Sequence, residues 1–142
     1  MRTRAAAGTV LALLAAAPLC ASPAQDYMLY CMGCHGPTAQ GVPGKVPPLA
    51  SSLALFMRSA EGRNYLLRVP GAANSVLTDA QLAAVLNWLA ATYGAPGEAQ
   101  PVPFTVDEVT QVRHTPLPYV QARRREVVRA LAATGAAPAA QY

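Results

Sequence analysis

The chain has 142 residues, of which 53% are hydrophobic and only 6% aromatic, and its formal net charge is +4. Two of the eleven basic residues, Arg2 and Arg4, lie at the extreme N-terminus, so the rest of the chain has nine basic and seven acidic residues. This near balance excludes the strongly basic surface of a typical nucleic-acid-binding protein. The length allows one small domain and an additional segment. Because large side chains are few, a core of about seventy residues would be only marginally stable alone, and we expect a bound group to fill its centre.

The first residues have the pattern of a cleaved secretory signal peptide. Arg2 and Arg4 precede an uncharged apolar run at residues 5–19, and small residues follow it. The run is short for a transmembrane helix and lacks a stop-transfer flank. We therefore expect residues 1–24 to be a signal peptide, and the mature chain to begin near Gln25, without a membrane span, in the periplasm.

The sequence YCMGCHG contains Cys31, Cys34 and His35 within five positions. Cys-x-x-Cys-His is the attachment signature of c-type haem. Two thiols about one helical turn apart can form thioethers with the vinyl groups of the porphyrin, and the next residue, a histidine, becomes an axial iron ligand. The pattern therefore predicts one covalently attached haem c, with Cys31 and Cys34 as the thioether residues and His35 as the proximal ligand.

Three other interpretations of the two cysteines are weaker. A disulfide is common in exported proteins but leaves the histidine unexplained. A zinc site requires four ligands, and the other histidine of the chain, His114, is far away in sequence. A thioredoxin-type redox pair requires an α/β pattern, which the sequence does not have.

Residues 25–93 resemble a class I cytochrome c, a family of monohaem electron carriers. The stretch QDYMLYCMGCHG matches the first helix and haem motif of the family, and VPPLA matches its Pro-Leu pair. The resemblance implies an all-α fold of short helices wrapped around one covalently bound haem. It also implies that the carbonyl of Pro47 or Pro48 accepts a hydrogen bond from His35 and fixes its tautomer. The alternative for these prolines is an ordinary proline-rich loop.

Two helices are predicted after this loop. The stretch EGRNYLLRV, residues 61–69, is predicted to be a short helix. The last helix of the resemblance is predicted to begin with a capping box formed by Thr78 and Gln81 and to end at Gly94. One apolar face repeats along this helix at helical spacing, and it consists of Leu82, Val85, Leu86 and Leu89.

The axial methionine of the family is missing where the resemblance places it. The loop VPGAANSVLT before the last helix has no methionine, and none follows Met57 in the chain. Met57 and His114 are the candidate distal ligands, although one can also be a core methionine and the other a solvent-facing histidine. Asn74 is a poor iron ligand, and the remaining option is an open sixth position. The sequence does not decide among them, although the choice affects the redox potential.

The chain beyond the resemblance divides by composition. We expect a haem domain at residues 25–94, a linker rich in proline and glycine at 95–103, a helical C-terminal extension at 104–135 and a disordered tail at 136–142. Within the extension, Thr105 and Glu108 predict a second capping box. The apolar residues of the extension must pack either on the haem domain or on a partner.

The final predicted helix has an apolar stripe and a run of arginines between Arg123 and Arg129. The arginines are either a solvated helix face or a docking patch for an acidic redox partner, which would accelerate association. The stripe consists of Val120, Val127, Val128 and Leu131.

Together these patterns predict a periplasmic monohaem c-type cytochrome that carries one electron between a dehydrogenase or respiratory complex and a downstream acceptor, and that is not itself an enzyme. Two alternatives remain. One is a haem-based sensor of a gas or peroxide, or a small haem enzyme, with an open sixth position. For a peroxidase the only candidate distal group in the loop is the amide of Asn74. The other alternative is a permanent haem subunit of a larger oxidoreductase.

Overall fold

The computed structural model describes residues 21–135 and Pro138. In this part of the chain the regular structure is helical, and one isolated antiparallel bridge joins Val42 and Val46. The predicted all-α fold is therefore confirmed. The helices are α1 (Pro23–Tyr30), α2 (Met32–His35), α3 (Leu53–Phe56), α4 (Ala60–Arg68), α5 (Pro70–Ala73), α6 (Asp79–Tyr93), α7 (Val106–Val112) and α8 (Val120–Ala133).

Both predicted terminal segments lie largely outside the described residues. Of the predicted signal peptide only residues 21–24 are described, and α1 already begins among them, capped by Ser22. Of the predicted disordered tail only Pro138 is described. Among the described helices, none combines the length and the apolar character that a membrane span requires.

Helix α1 packs across α6 through an aromatic contact. Tyr27 is 1% exposed, and its ring centroid lies 5.7 Å from that of Trp88 on α6. Its hydroxyl donates a hydrogen bond of 2.6 Å to the carbonyl of Gly36, directly after the Cys-x-x-Cys-His motif. Tyr30, at the end of the same helix, is about half exposed. Tyr27 therefore connects three parts of the fold at one point.

Helix α6 has the predicted ends. The capping box of Thr78 and Gln81 is present in both directions, and the helix stops at Gly94. However, Gly94 has an ordinary φ of −62° and not the left-handed conformation usual for a terminal glycine. A Cβ at this position would lie 2.7 Å from the carbonyl oxygen of Ala90, so the glycine is required by close approach.

The C-terminal extension packs back on the rest of the chain. Helix α7 lies against α4 and α6, and α8 lies against α3 and α4. Full burial of one large aliphatic side chain stabilises a fold by about 1.5–3 kcal/mol. The extension thus shares one continuous hydrophobic core with the segment that contains the haem motif, and it contributes Phe104, Val109, Val127, Val128 and Leu131 to that core.

Arg63 on α4 fixes the start of the extension. Its Nε lies 2.7 Å from Oε1 of Glu108, it donates to the carbonyl of Val102, and its guanidinium lies 4.2 Å from the centroid of the Phe104 ring. Thr105 accepts from the backbone N–H of Glu108, which is one half of the predicted capping box, but the Glu108 side chain does not return a bond to the backbone N–H of Thr105. The Glu108 carboxylate pairs with Arg63, so α7 gains a link to α4 from that side chain.

Arg113, directly after α7, fixes the loop between α5 and α6. It is 3% exposed and donates hydrogen bonds to the backbone carbonyls of Ala72, Ser75 and Leu77 at 3.2, 2.5 and 2.7 Å. It also pairs with Asp79 at 2.9 Å, and this hydrogen bond holds the pKa of the Asp79 carboxyl below its usual value. A side chain of the extension therefore determines the path of a loop more than thirty residues earlier.

We expect Arg113→Met to lower the free energy of unfolding by about 3 kcal/mol, because three backbone carbonyls lose their buried donor; the partly exposed pair with Asp79 is also lost. The control is Arg123→Met, since Arg123 is 58% exposed in its pair with Glu126 and an exposed pair contributes less than about 1 kcal/mol. Urea titration of the haem-loaded proteins gives both values, and equal losses would contradict the assignment.

Part of the Arg113 effect depends on pH. Since the pKa of Asp79 is lowered in the folded protein, the pair stabilises the fold above the usual carboxyl pKa of 3.8 and loses this effect as the pH falls through the lowered value. We expect the stability difference between the wild type and Arg113→Met to be constant near neutral pH and to shrink in acid below pH 4. A difference that grows in acid would contradict this sign.

Candidate functional site

The haem-type motif sits at the junction of α1 and α2. Cys31 separates the two helices, and the backbone N–H groups of Cys34 and His35 both donate to its carbonyl, at 3.2 and 3.0 Å. This single turn places the two cysteines three residues apart on one side, as two thioether bonds require. No disulfide joins the two cysteines, and burial raises the pKa of the Cys31 thiol.

The imidazole of His35 has a defined tautomer. Its Nδ1 lies 3.1 Å from the carbonyl oxygen of Pro47, and because a carbonyl can only accept, Nδ1 carries the proton and donates. Nε2 therefore keeps its lone pair. Burial lowers the pKa of His35, with the Pro47 hydrogen bond as a smaller opposing effect. The ring is thus a neutral nitrogen donor, while Pro48, the other predicted acceptor, lines the cavity beside it.

A tight loop brings Pro47 to His35. The backbone N–H of Gly41 donates to the carbonyl of His35 at 2.8 Å, and the bridge between Val42 and Val46 closes the turn that follows. Gly41 has a φ of +70°, and a Cβ there would lie 2.4 Å from the carbonyl oxygen of Val46. Only glycine fits this close approach of two backbone segments.

A cavity of about 330 Å³ contains the motif. Cys31, Cys34 and His35 all line it, and the rest of its wall is mainly apolar and comes from α3, α4, α6 and the segment around α5. A second cleft, of about 420 Å³, lies between α4 and α8, and none of the three motif residues lines it. Among the described residues no cluster of three or more His, Cys, Asp or Glu side chains forms a site for a bare metal ion.

These features fit a haem. Two thiols at the correct spacing, an imidazole with a free Nε2 and an apolar wall are the donor set and surroundings that covalent haem attachment requires. The cavity volume lies within the range usual for cofactor sites. The carbonyl of Pro47 has the position of an outer partner that orients a metal-binding histidine.

Comparison with known proteins agrees with this geometry. One cytochrome c-552 of Thermus thermophilus is 32% identical over 126 residues, which cover 74% of this chain and 85% of the relative. A second cytochrome c-552 of Thermus thermophilus is 34% identical over 102 residues, covering 58% of this chain and 78% of the relative. The chain belongs to the class I c-type cytochromes. No protein-family model matches the sequence. This cytochrome is an electron-transfer protein with covalently attached haem c.

Neither candidate distal ligand lines the cavity. Met57 is 2% exposed in the core at the end of α3. His114 is exposed after α7. Asn74 is exposed at the end of α5. The loop around α5 lines the cavity with Val69, Pro70, Gly71, Ala72, Ser75 and Leu77.

Two residues of α8 that the sequence did not predict as site residues also line the cavity, Val120 and Arg124. Arg124 lies four residues after Val120, three before Val127 and four before Val128, so the helical period places it on the buried stripe. This spacing is the signal that could have separated it from the other arginines of the run.

We expect Gly41→Ala to disturb the haem site more than Gly44→Ala. Both glycines have positive φ, at +70° and +73°, but a Cβ at Gly44 would meet nothing within 4 Å. Gly44→Ala should therefore cost only the conformational strain of about 1–2 kcal/mol. Gly41→Ala must in addition move the backbone that presents Pro47 to His35.

The measurement for the two glycine variants is urea unfolding together with the paramagnetically shifted NMR signals of the axial histidine in the oxidised protein. Larger destabilisation and displaced histidine signals are expected for Gly41→Ala alone. Identical spectra and stabilities in the two variants would show that the close approach at Gly41 is not required.

Proposed function

We propose that this cytochrome is a periplasmic one-electron carrier in which Cys31 and Cys34 form the haem thioethers and His35 is the proximal iron ligand. The observation that supports this assignment most directly is the hydrogen bond from Nδ1 of His35 to the carbonyl of Pro47, because it leaves Nε2 of His35 without a proton. His35 lines the same cavity as Cys31 and Cys34. When bound, the haem supplies an iron centre that accepts and releases one electron.

The composition of the cavity wall supports a carrier. Among the described residues that line it, His35 is the only imidazole and none has a carboxylate. Imidazoles and carboxylates are the most frequent general acids and bases of enzymes, and the one imidazole of this wall is assigned to the iron. The protein environment then has two tasks, to exclude water with its apolar wall and to keep the His35 ring in one orientation.

We propose a dehydrogenase or respiratory complex as the electron donor and a second redox protein as the acceptor, with docking on the exposed arginines of α8. Of the predicted patch, Arg124 is 3% exposed and therefore faces the interior, and Arg123 pairs with Glu126. The docking proposal thus depends on Arg125 and Arg129, which are exposed. Charges of this kind act mainly on association rate.

A second candidate function is a haem centre with an open sixth position that binds a small neutral ligand such as carbon monoxide. The observation that favours it is the wall around α5, which consists of Val69, Pro70, Gly71, Ala72, Ser75 and Leu77, none of which has a sulfur or imidazole. The placement of Met57 and His114 away from the cavity supports the same proposal.

The attachment residues are tested by expression in a host with the c-type maturation system. We expect the intact protein to have the mass of the polypeptide plus one haem, resistant to extraction by acidified organic solvent. Cys31→Ala and Cys34→Ala should each retain a single thioether, recognisable in the pyridine haemochrome spectrum, and the double variant should have no covalent haem. Wild-type protein with the mass of the bare polypeptide would refute the assignment.

The sixth position is tested by Met57→Leu and His114→Ala in the haem-loaded protein. Because neither side chain lines the cavity, we expect both variants to keep the wild-type absorption spectrum and to bind carbon monoxide in the reduced state as fast as the wild type does. A spectrum that changes from low spin to high spin in one variant alone would assign that residue as the ligand instead.

A further inference from the structure

Ser75 provides a hydroxyl in the part of the cavity wall that α5 and its flanking residues form. It lies between α5 and α6 and is half-buried. The other lining residues of this segment have no polar side chain, and they are Val69, Pro70, Gly71, Ala72 and Leu77. Ser75 is therefore the group of this segment that can form a directed side-chain hydrogen bond with an occupant of the cavity.

Two donors fix the hydroxyl of Ser75. Its Oγ accepts from Nη2 of Arg113 at 3.1 Å and from the backbone N–H of Leu77 at 3.3 Å. A hydroxyl oxygen has two lone pairs and one proton, so these bonds use both lone pairs and direct the proton away from both donors. Within the described part of the chain, Oγ of Ser75 acts only as an acceptor.

Arg113 approaches Ser75 from outside the cavity. Its guanidinium also binds the backbone carbonyls of Ala72 and Leu77, and Arg113 is not among the described residues that line the cavity. Ser75 itself lines the cavity. A proton directed away from Arg113 therefore lies on the cavity side of Ser75.

The segment that contains Ser75 and the segment that contains His35 form different walls of the cavity. Helix α2, which ends at His35, packs on α1, whereas α5 packs on α4. The two axial positions of a haem iron lie on opposite faces of the porphyrin. The sixth position therefore faces away from His35 and is bordered by a wall to which His35 does not belong.

We propose that Ser75 donates a hydrogen bond to a small ligand at the sixth position, and that Arg113 is the positioning residue that orients its hydroxyl. The ligand class is a small molecule or anion that binds iron through one atom and accepts a hydrogen bond at another. This inference rests on the open sixth position proposed above as the second candidate function. It gives the C-terminal extension a part in ligand binding, because Arg113 directly follows α7.

The test is the C–O stretching frequency of carbon monoxide bound to the reduced, haem-loaded, full-length protein, measured by infrared spectroscopy. A donor at the outer oxygen draws electron density from the iron into the antibonding orbital of the C–O bond and lowers the frequency. We therefore expect a higher frequency in Ser75→Ala than in the wild type. Oxidised Ser75→Ala should also bind cyanide about threefold to tenfold more weakly, because one hydrogen bond is lost.

The matched control is Ser52→Ala, which removes a serine hydroxyl from another wall of the same cavity, at the start of α3. It should have the wild-type frequency, and so should Ser75→Thr, which retains the hydroxyl. Arg113→Met should broaden or split the C–O band, because the hydroxyl is no longer held in one orientation. An unchanged frequency in Ser75→Ala, or equal shifts in Ser75→Ala and Ser52→Ala, would overturn the proposal.

These outcomes are distinct from a failure of the proposed function. If the reduced wild type binds no carbon monoxide, the open sixth position is refuted, and the role of Ser75 is refuted with it. If carbon monoxide binds and Ser75→Ala has the wild-type frequency, the open position stands and only the role of Ser75 is refuted.

Discussion

The hydrogen bond between His35 and Pro47 is the interaction on which the site depends. It determines which ring nitrogen has the proton, and it thereby leaves the other one available to a metal. The backbone around it is built for this contact, because the close approach at Gly41 brings two segments together that a side chain would separate. Tyr27 connects the same region to α6 through its hydroxyl and its ring. The orientation of one imidazole therefore depends on the turn, the motif and the helix crossing together.

Arginine side chains integrate the C-terminal extension into this arrangement. Arg63 binds the start of the extension, Arg113 binds the loop between α5 and α6, and Arg68 donates to the carbonyls of Thr115 and Pro116. Most of these bonds end on backbone carbonyls. Such contacts fix the position of loops that have few large apolar side chains. The slightly basic composition of the chain is thus explained to a large extent by internal contacts, with Arg125 and Arg129 among the arginines left at the surface.

Local sequence signals predicted the elements whose determinants are close together in the chain. The Cys-x-x-Cys-His spacing and the capping box of Thr78 and Gln81 are of this kind, and both appear in the structure as a single turn and a capped helix. The packing of α7 and α8 was not predictable, because an apolar stripe does not identify the surface that covers it. The role of Arg113 was not predictable either, since its acceptors are backbone groups and leave no trace in the sequence.

Arg124 shows that the number of charges in a segment does not predict which of them are exposed to solvent. A run of arginines suggests a solvent-exposed face, yet the helical period turns one of them inward while its neighbours stay outside. Burial of that one residue depends on the cavity that α3 and α4 form, and cavities are properties of the tertiary structure. The same applies to Met57, whose chemistry suits a ligand but whose position at the end of α3 places it in the core.

The completion of the cavity wall by Val120 and Arg124 has a consequence for biogenesis. These residues lie far downstream of Cys31 and Cys34 in the chain, so the pocket is incomplete until the late part of the polypeptide has docked. That side of the cavity is therefore open in a chain whose α8 has not yet docked on α3 and α4. The C-terminal extension closes one side of the haem cavity by docking on helices that precede it in the chain.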